Sequence, residues 1–481
     1  MFRSLVTFLA VILFAFVVML LWSGSKELKF KRVAMDGDRS TQAVIADFER
    51  RQREAASERM TSNTPTEAAA PKQSSSGDGP AVVVWISIPG FRGDYIEKSE
   101  TPFFDQLISD GGGTNKMRPA FPCLTFPAHA TMATGVTASD HGIVADQLRV
   151  APGEVVSNPT DATLLEAEPI WSTATRQGIK TMVHDWPLSQ NQTGDHPASI
   201  FLDSIDEETT DEVRLNKALE AWRGTVPEGA EPAADGSDRL RLVMLKLNDI
   251  YKAGLVNGPR ADETYEAVGK TDTALKSFFD TVQGEWDKLA PPAANLIIFI
   301  STDHGMAELD KNVNIAHLLG DEMMLNADIV AHEAVANLYF KDLPESEGEQ
   351  KIFKDKFDTE LSKRIYFRTL KKEELPEEWN YLHARTGDRV LILKTGYAFA
   401  EEKSEEPVFD PSEGPGFFGA YGYPVEESIR MSGQVVIAGY PNSPLNSELD
   451  EISQLSFHAT VCKLLGIDPA EGAGSETLDV K

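Results

Sequence analysis

Cysteine is nearly absent from this chain: two among 481 residues, Cys123 and Cys462, far apart in sequence. Neither a zinc-ribbon spacing nor a disulfide-rich secreted scaffold can be built from such a pair, and the spacing does not say whether the two bond to each other. Positive charge is also scarce, with Lys+Arg 46 against Asp+Glu 75 and a net charge of −29. A surface of that sign repels nucleic acid and anionic lipid, which excludes polyanion binding as the main role. No internal repeat is present. Long apolar runs are missing too, with one exception at the amino terminus.

That exception is residues 5–22, eighteen residues without a charge and apolar but for Thr7. The length falls in the range of about 17–25 residues that crosses a bilayer as a helix, and it exceeds the roughly 7–15 of a signal-peptide core. The run is read as an uncleaved membrane anchor. Residues 41–60 have the composition of a solvated helix, and "TSNTPTEAAAPKQSSSGDGP", 61–80, has that of a flexible linker. Residues 23–80 therefore form a juxtamembrane segment, and the folded domain is expected over 81–481. Lys26, Lys29, Lys31 and Arg32 follow the span, which by the positive-inside rule would keep the domain cytoplasmic.

The rest, 41% hydrophobic and 25% charged over the whole chain, alternates β-branched runs with helical patterns. Strands are expected near 82–88, 181–184, 240–247, 295–301, 335–340, 389–394 and 434–439. Helices are expected near 102–110, 169–177, 262–289, 350–364 and 449–465. This alternation predicts an α/β fold with a mainly parallel central sheet and helices on both faces.

Two segments carry chemistry at element ends. In "AFPCLTFPAHATMATG", 120–135, Pro127 suits a first helical turn and Gly135 a helix end, which places Thr125 at the amino terminus, where backbone N–H groups favour an anion. In "IIFISTDHGM", 297–306, an apolar strand stops at Asp303-His304, a carboxylate beside an imidazole and half of a zinc site. Alone, the first is an ordinary cap, and the second reads equally well as half of a metal site and as an Asp/Gly turn.

Together with "GFRGDY", "SDHGI", "AEPIWSTATRQGIKT", "NGPRADET", "RTGDRVLILKTGYAFA", "GAYGYP" and "ATVCKLLGIDP", in this order from about residue 82 to 466, they resemble the alkaline phosphatase superfamily, in its nucleotide pyrophosphatase/phosphodiesterase branch. The resemblance implies an alkaline-phosphatase-like fold and a two-zinc hydrolase with a threonine nucleophile, here Thr125, and with Asp303 and His304 on the nucleophile-side zinc. It also implies a phosphate-containing ligand and an extracytoplasmic domain, against the charge flank of the span.

The pattern is broken at the other expected ligands. Pro89 stands where the family has a metal-binding aspartate. Tyr251 and Leu255 stand, by an ungapped count from Gly258-Pro259, at the positions of an aspartate and a histidine, and Tyr421 at a further histidine. A two-residue insertion would bring in Asp249 instead of Tyr251. Ala128 replaces an asparagine that helps hold the phosphoryl oxygen. Asp94 lies near the lost first ligand but at the wrong offset, while His129 and His141 are read as local hydrogen-bonding residues. One nucleophile and two zinc ligands are too few for efficient two-metal hydrolysis, since each lost ligand commonly costs 10–100-fold. The expected protein is a membrane-anchored pseudoenzyme with a binding or scaffold role, zinc at most at a partial site. The alternatives are an active metal-dependent phosphodiesterase or phosphatase with a rebuilt centre at Thr125, and an inactive subunit that stabilises an active partner.

Overall fold

The structure is a computed structural model that describes residues 79–202, 209–225, 237–400, 406–445 and 449–480. The expected membrane span at 5–22 and nearly all of the 23–80 segment lie outside these residues. Among the described residues, no helix is long and apolar enough to cross a membrane.

Eight strands form the central sheet: β1 (Ala81–Ser87), β2 (Gly112–Arg118), β3 (Lys180–His184), β4 (Ile200–Leu202), β5 (Leu240–Lys246), β6 (Asn295–Ser301), β7 (Gly433–Tyr440) and β8 (Ile452–Ser453), in the order β8-β2-β7-β6-β1-β5-β3-β4. β1 lies at the centre because its run AVVVWIS is buried along its whole length, the pattern of a strand covered on both faces. It pairs in parallel with β5 and β6, Val84 standing opposite Val243 and Ile298. The sheet is mixed, because β7 runs antiparallel to both β6 and β2.

Side chains of β1 alternate between two cores. Val82, Val84 and Ile86 face helices α1 (Pro102–Asp110), α4 (Asp211–Arg223) and α6 (Asp262–Gly284). Val83 and Trp85 face α2 (Thr125–Thr134), α3 (Ile170–Arg176) and α7 (Ser456–Leu465). Helix α5 (Asp249–Asn257) follows β5 at the carboxyl edge of the sheet. Helices thus cover both faces, as the alternation predicts.

Three expectations need correction. The strands at Val335–Phe340 and Arg389–Leu393 belong to a separate antiparallel sheet with Ala327–His332 and Phe367–Lys371. A two-residue turn at Glu333 and Ala334 joins two of them, and so short a connection can only make an antiparallel pair. The expected helix 449–465 begins at Ser456, because Ile452–Ser453 pairs with β2 as a strand. The expected helix 262–289 breaks after Gly284 and restarts as Trp286–Leu289. Cys123 and Cys462 are both buried and free.

Candidate active site

Helix α2 starts at Thr125, behind an extended Leu124, and closes on Gly135 in the left-handed conformation at φ 71°. The half-buried Thr125 therefore stands at the helix amino terminus. Its Oγ1 lies 3.3 Å from His304 Nε2. His304 Nδ1 is 2.7 Å from the Gly305 carbonyl, which can only accept, so Nδ1 carries the proton and Nε2 offers its lone pair to the threonine hydroxyl. Asp303 and His304 follow β6 and are fully buried. Asp303 Oδ1 accepts from the Gly90 N–H at 3.1 Å and the His304 N–H at 2.7 Å. Its Oδ2 has no hydrogen bond and lies 3.4 Å from His304 Nε2 and 3.6 Å from His129 Nδ1. The three residues expected from sequence thus converge at the carboxyl edge of the sheet, where such sites form in open α/β folds.

Pro89 lies in the turn after β1, and the next residue, Gly90, takes φ 67°. A positive φ is tolerated by glycine without strain, and it accompanies the Gly90 N–H hydrogen bond to Asp303. A backbone donor therefore serves one oxygen of Asp303 beside the position where the resemblance puts a third metal ligand. Asp94 is turned elsewhere, bound twice by Arg92 at 2.6 Å and once by Lys98 at 2.5 Å.

Aromatic carbon fills the opposite side. Tyr251 in the first turn of α5 and Tyr421 beyond the short strand Gly419–Ala420 join their hydroxyls at 3.0 Å. Tyr421 stacks on His304 with ring centroids 4.3 Å apart and planes 10° from parallel. Burial pushes both phenol pKa values up, so the hydroxyls stay protonated and satisfy each other. Leu255 packs into the same apolar cluster. Asp249 does not slide into the site. Its Oδ2 accepts from the Asp211 N–H at 3.1 Å, while Asp211 Oδ1 accepts from the Asn248 and Asp249 N–H groups at 2.6 and 3.2 Å. Each carboxylate thus serves the amino terminus of the other's helix. Burial, reinforced by the Asp249 charge, pushes the Asp211 carboxyl up to about 6.

His129 and His141 are the local hydrogen-bonding residues expected. His129 joins Ser87 Oγ at 2.9 Å and the Thr125 carbonyl at 2.8 Å, and burial lowers its pKa to about 4. His141 joins Thr131 Oγ1 at 3.1 Å and accepts from the Ile143 N–H, with its pKa lowered to about 3 by burial. Ala128 is buried and offers no polar side chain.

Sequence reasoning missed three residues beside the site. The Phe126 N–H, a helical donor next to Thr125, is taken by Asp146 Oδ1 at 2.7 Å. Asp146 Oδ2 lies 3.3 Å from His332 Nδ1. Glu333, at φ 49° in the hairpin turn, accepts from the Tyr421 N–H at 3.4 Å, and desolvation pushes its carboxyl up to about 7. A positive φ on a glutamate is uncommon, yet no motif in the sequence marks it.

Asp303 Oδ2, an orphaned buried oxygen, and His304 Nε2 are suitable donors for a metal, with the Thr125 hydroxyl beside them. Among the described residues no group of three or more His, Cys, Asp or Glu side chains could hold one. Catalytic zinc takes about three protein ligands and a water, so the described residues do not fit a two-zinc centre.

The family model described as type I phosphodiesterase / nucleotide pyrophosphatase matches residues 83–424. Among curated proteins, ectonucleotide pyrophosphatase/phosphodiesterase family member 1 of Mus musculus is 26% identical over 414 residues, covering 81% of this chain and 41% of that protein. The chain thus spans about two fifths of that relative's length. Bis(5'-adenosyl)-triphosphatase enpp4 of Xenopus laevis is 24% identical over 413 residues, covering 82% and 80%. Among solved structures, an inactive form of murine ectonucleotide pyrophosphatase/phosphodiesterase 5 in complex with AMP superposes with TM-score 0.66 at 23% identity, covering 81% of this chain and 96% of that one. The human form of that protein gives 0.64 at 23% identity, covering 80% and 95%.

Proposed function

Because the chain belongs to the type I phosphodiesterase/nucleotide pyrophosphatase family, we propose that it is a membrane-anchored, extracytoplasmic member that binds or scaffolds without efficient two-metal hydrolysis. The observation that carries this reading is the Tyr251–Tyr421 hydroxyl pair, with the Tyr421 ring stacked on His304. Where the resemblance puts ligands of the second zinc, the chain has neutral phenols that bond to each other. A centre lacking one metal loses half of the charge neutralisation that phosphoryl transfer needs. Anchoring rests on the apolar run at 5–22, and extracytoplasmic placement on kinship with a protein named as an ectoenzyme.

A specific observation favours a second reading, an active hydrolase with a rebuilt single-metal centre. Asp303 Oδ2 is buried without a hydrogen bond, beside His304 Nε2 and the Thr125 hydroxyl. A cation there would satisfy it, and Asp303 and His304 would hold that cation. Bound at this position, a zinc ion would lower the pKa of the nearby hydroxyl and neutralise charge on a phosphoryl oxygen.

Zinc content of the full chain in detergent, by elemental analysis, together with cleavage of a nitrophenyl phosphodiester, separates the two. Substoichiometric zinc and no cleavage above a Thr125→Ala control support the first reading. One zinc per chain with turnover lost in Thr125→Ala overturns it.

A further inference from the structure

The helix that presents Thr125 has few donors to give an anion. Pro127 has no N–H, and the Ala128 N–H bonds to the Leu124 carbonyl. Besides the N–H of Thr125 itself, the Phe126 N–H is therefore the first-turn helical donor left to meet a phosphoryl oxygen beside Thr125. It is not free. Asp146 Oδ1 sits on it at 2.7 Å, and Asp146 is 1% exposed.

A histidine lies against its other oxygen. His332, the last residue of its strand before the Glu333 turn, places Nδ1 3.3 Å from Asp146 Oδ2. The segment 142–146, which follows His141, and the hairpin of the antiparallel sheet thus meet on this carboxylate. Glu333 is next in the chain, and Asp303 presents its orphaned, fully buried Oδ2 toward the His304 ring that faces Thr125.

We propose that Asp146 is the specificity-determining residue of this site: its carboxylate occupies the Phe126 N–H in place of a ligand and excludes phosphoryl anions from Thr125. The inference rests on the reading of the site as one that does not turn over, and it concerns binding alone. A phosphate oxygen that approaches the helix must displace a carboxylate already holding a charge-assisted hydrogen bond, or accept a like charge within contact distance. Phosphate-containing ligands are held, if at all, by contacts away from the Thr125 hydroxyl.

The test is titration of the full chain in detergent and chelator with inorganic phosphate, followed by calorimetry, in the native protein and two variants. Asp146→Ala vacates the Phe126 N–H and removes the charge. Asp146→Asn keeps an oxygen on the same N–H and removes the charge alone. Phosphate affinity is expected to rise about 10-fold or more in Asp146→Ala, with a smaller rise in Asp146→Asn. If Asp146→Ala does not fold, the near-isosteric Asp146→Asn decides, and any gain above twofold supports the proposal. Native protein that binds phosphate as tightly as the variants, or variants that gain nothing, overturns it. With metal chelated and no cleavage measured, these outcomes are distinct from the zinc and turnover results that decide whether the protein is an enzyme.

Discussion

The two sides of the site contrast in what holds them. On the Thr125 side, one polar atom is left without a partner: Asp303 Oδ2 is orphaned, and the hydroxyl of Thr125 reaches His304 at a long 3.3 Å. On the Tyr421 side, everything is satisfied, since two phenols share a 3.0 Å hydrogen bond and the rings stack and pack with Leu255. Unsatisfied buried polar groups cost free energy, so the first side is retained at a cost in stability, whereas the second behaves as ordinary core. The lesson is that one side of a site can be packed as ordinary core while the other keeps a buried polar group without a partner.

The largest test of this contrast is Tyr421→Ala. Removing a fully buried aromatic should cost about 3–5 kcal/mol in denaturant unfolding, and a cost below about 1 kcal/mol would show that the aromatic side is not core.

The pH dependence of stability comes next. Glu333 has its pKa raised from 4.5 to about 7, so between these values the native state keeps a proton that the unfolded chain has released. Its contribution is full below about pH 4.5 and is lost as pH rises through 7. The group is half-buried, which limits the loss to about 1–2 kcal/mol after solvent screening. His129 acts in the opposite direction: with its pKa lowered from 6.5 to about 4, it opposes the folded state as pH falls through that window. Asp211, whose carboxyl is pushed up to about 6, adds a decline that ends lower, so unfolding measured from pH 4 to 8 in Glu333→Gln should lose the part of the decline that extends to about pH 7 and keep the Asp211 part and the rising component. An unchanged profile would place the Glu333 carboxyl in water.

A smaller effect is expected from the phenol pair itself. Tyr251→Phe and Tyr421→Phe should each cost about 1 kcal/mol, and the double variant less than their sum, because the second substitution removes a hydroxyl already left without its partner. Strict additivity would break the claim that the two satisfy each other.

The smallest effect belongs to the polar side. Asp303→Asn keeps an oxygen for the Gly90 and His304 N–H groups and turns an amide N–H toward His304 Nε2, so stability should change by less than about 1 kcal/mol. A loss of several kcal/mol on the same unfolding assay would show that the charge of Asp303 is needed, as it would be opposite a bound cation.

Much of the fold was legible because it follows from local patterns. The helix Pro102–Asp110 and the strand Asn295–Ser301 lie where the residues place them, since buried parallel strands read as continuous β-branched runs and proline marks a helix start. Thr125, Asp303 and His304 were legible for the same reason, each standing at the end of such an element. The strand Ala327–His332 was not expected because its residues do not alternate, and the helix Asp211–Arg223 was missed although Leu215, Ala218, Leu219 and Trp222 recur at helical spacing and are buried. The pairing of Val335–Phe340 with its neighbours also escaped, since a strand's sequence does not state which sheet it joins.

The sequence by itself determined the α/β alternation, the position of the threonine at a helix amino terminus, and the residues Pro89, Leu255 and Tyr421 at positions where the resemblance puts ligands. Only the tertiary structure decided that Tyr251 and Tyr421, 170 residues apart, would bond to each other, that Asp249 would be engaged by Asp211, and that Asp146 would take the Phe126 N–H. The reason is physical: periodicity and capping act within a few residues, whereas which buried polar groups meet depends on how distant segments pack and on the need of each to find a partner away from water.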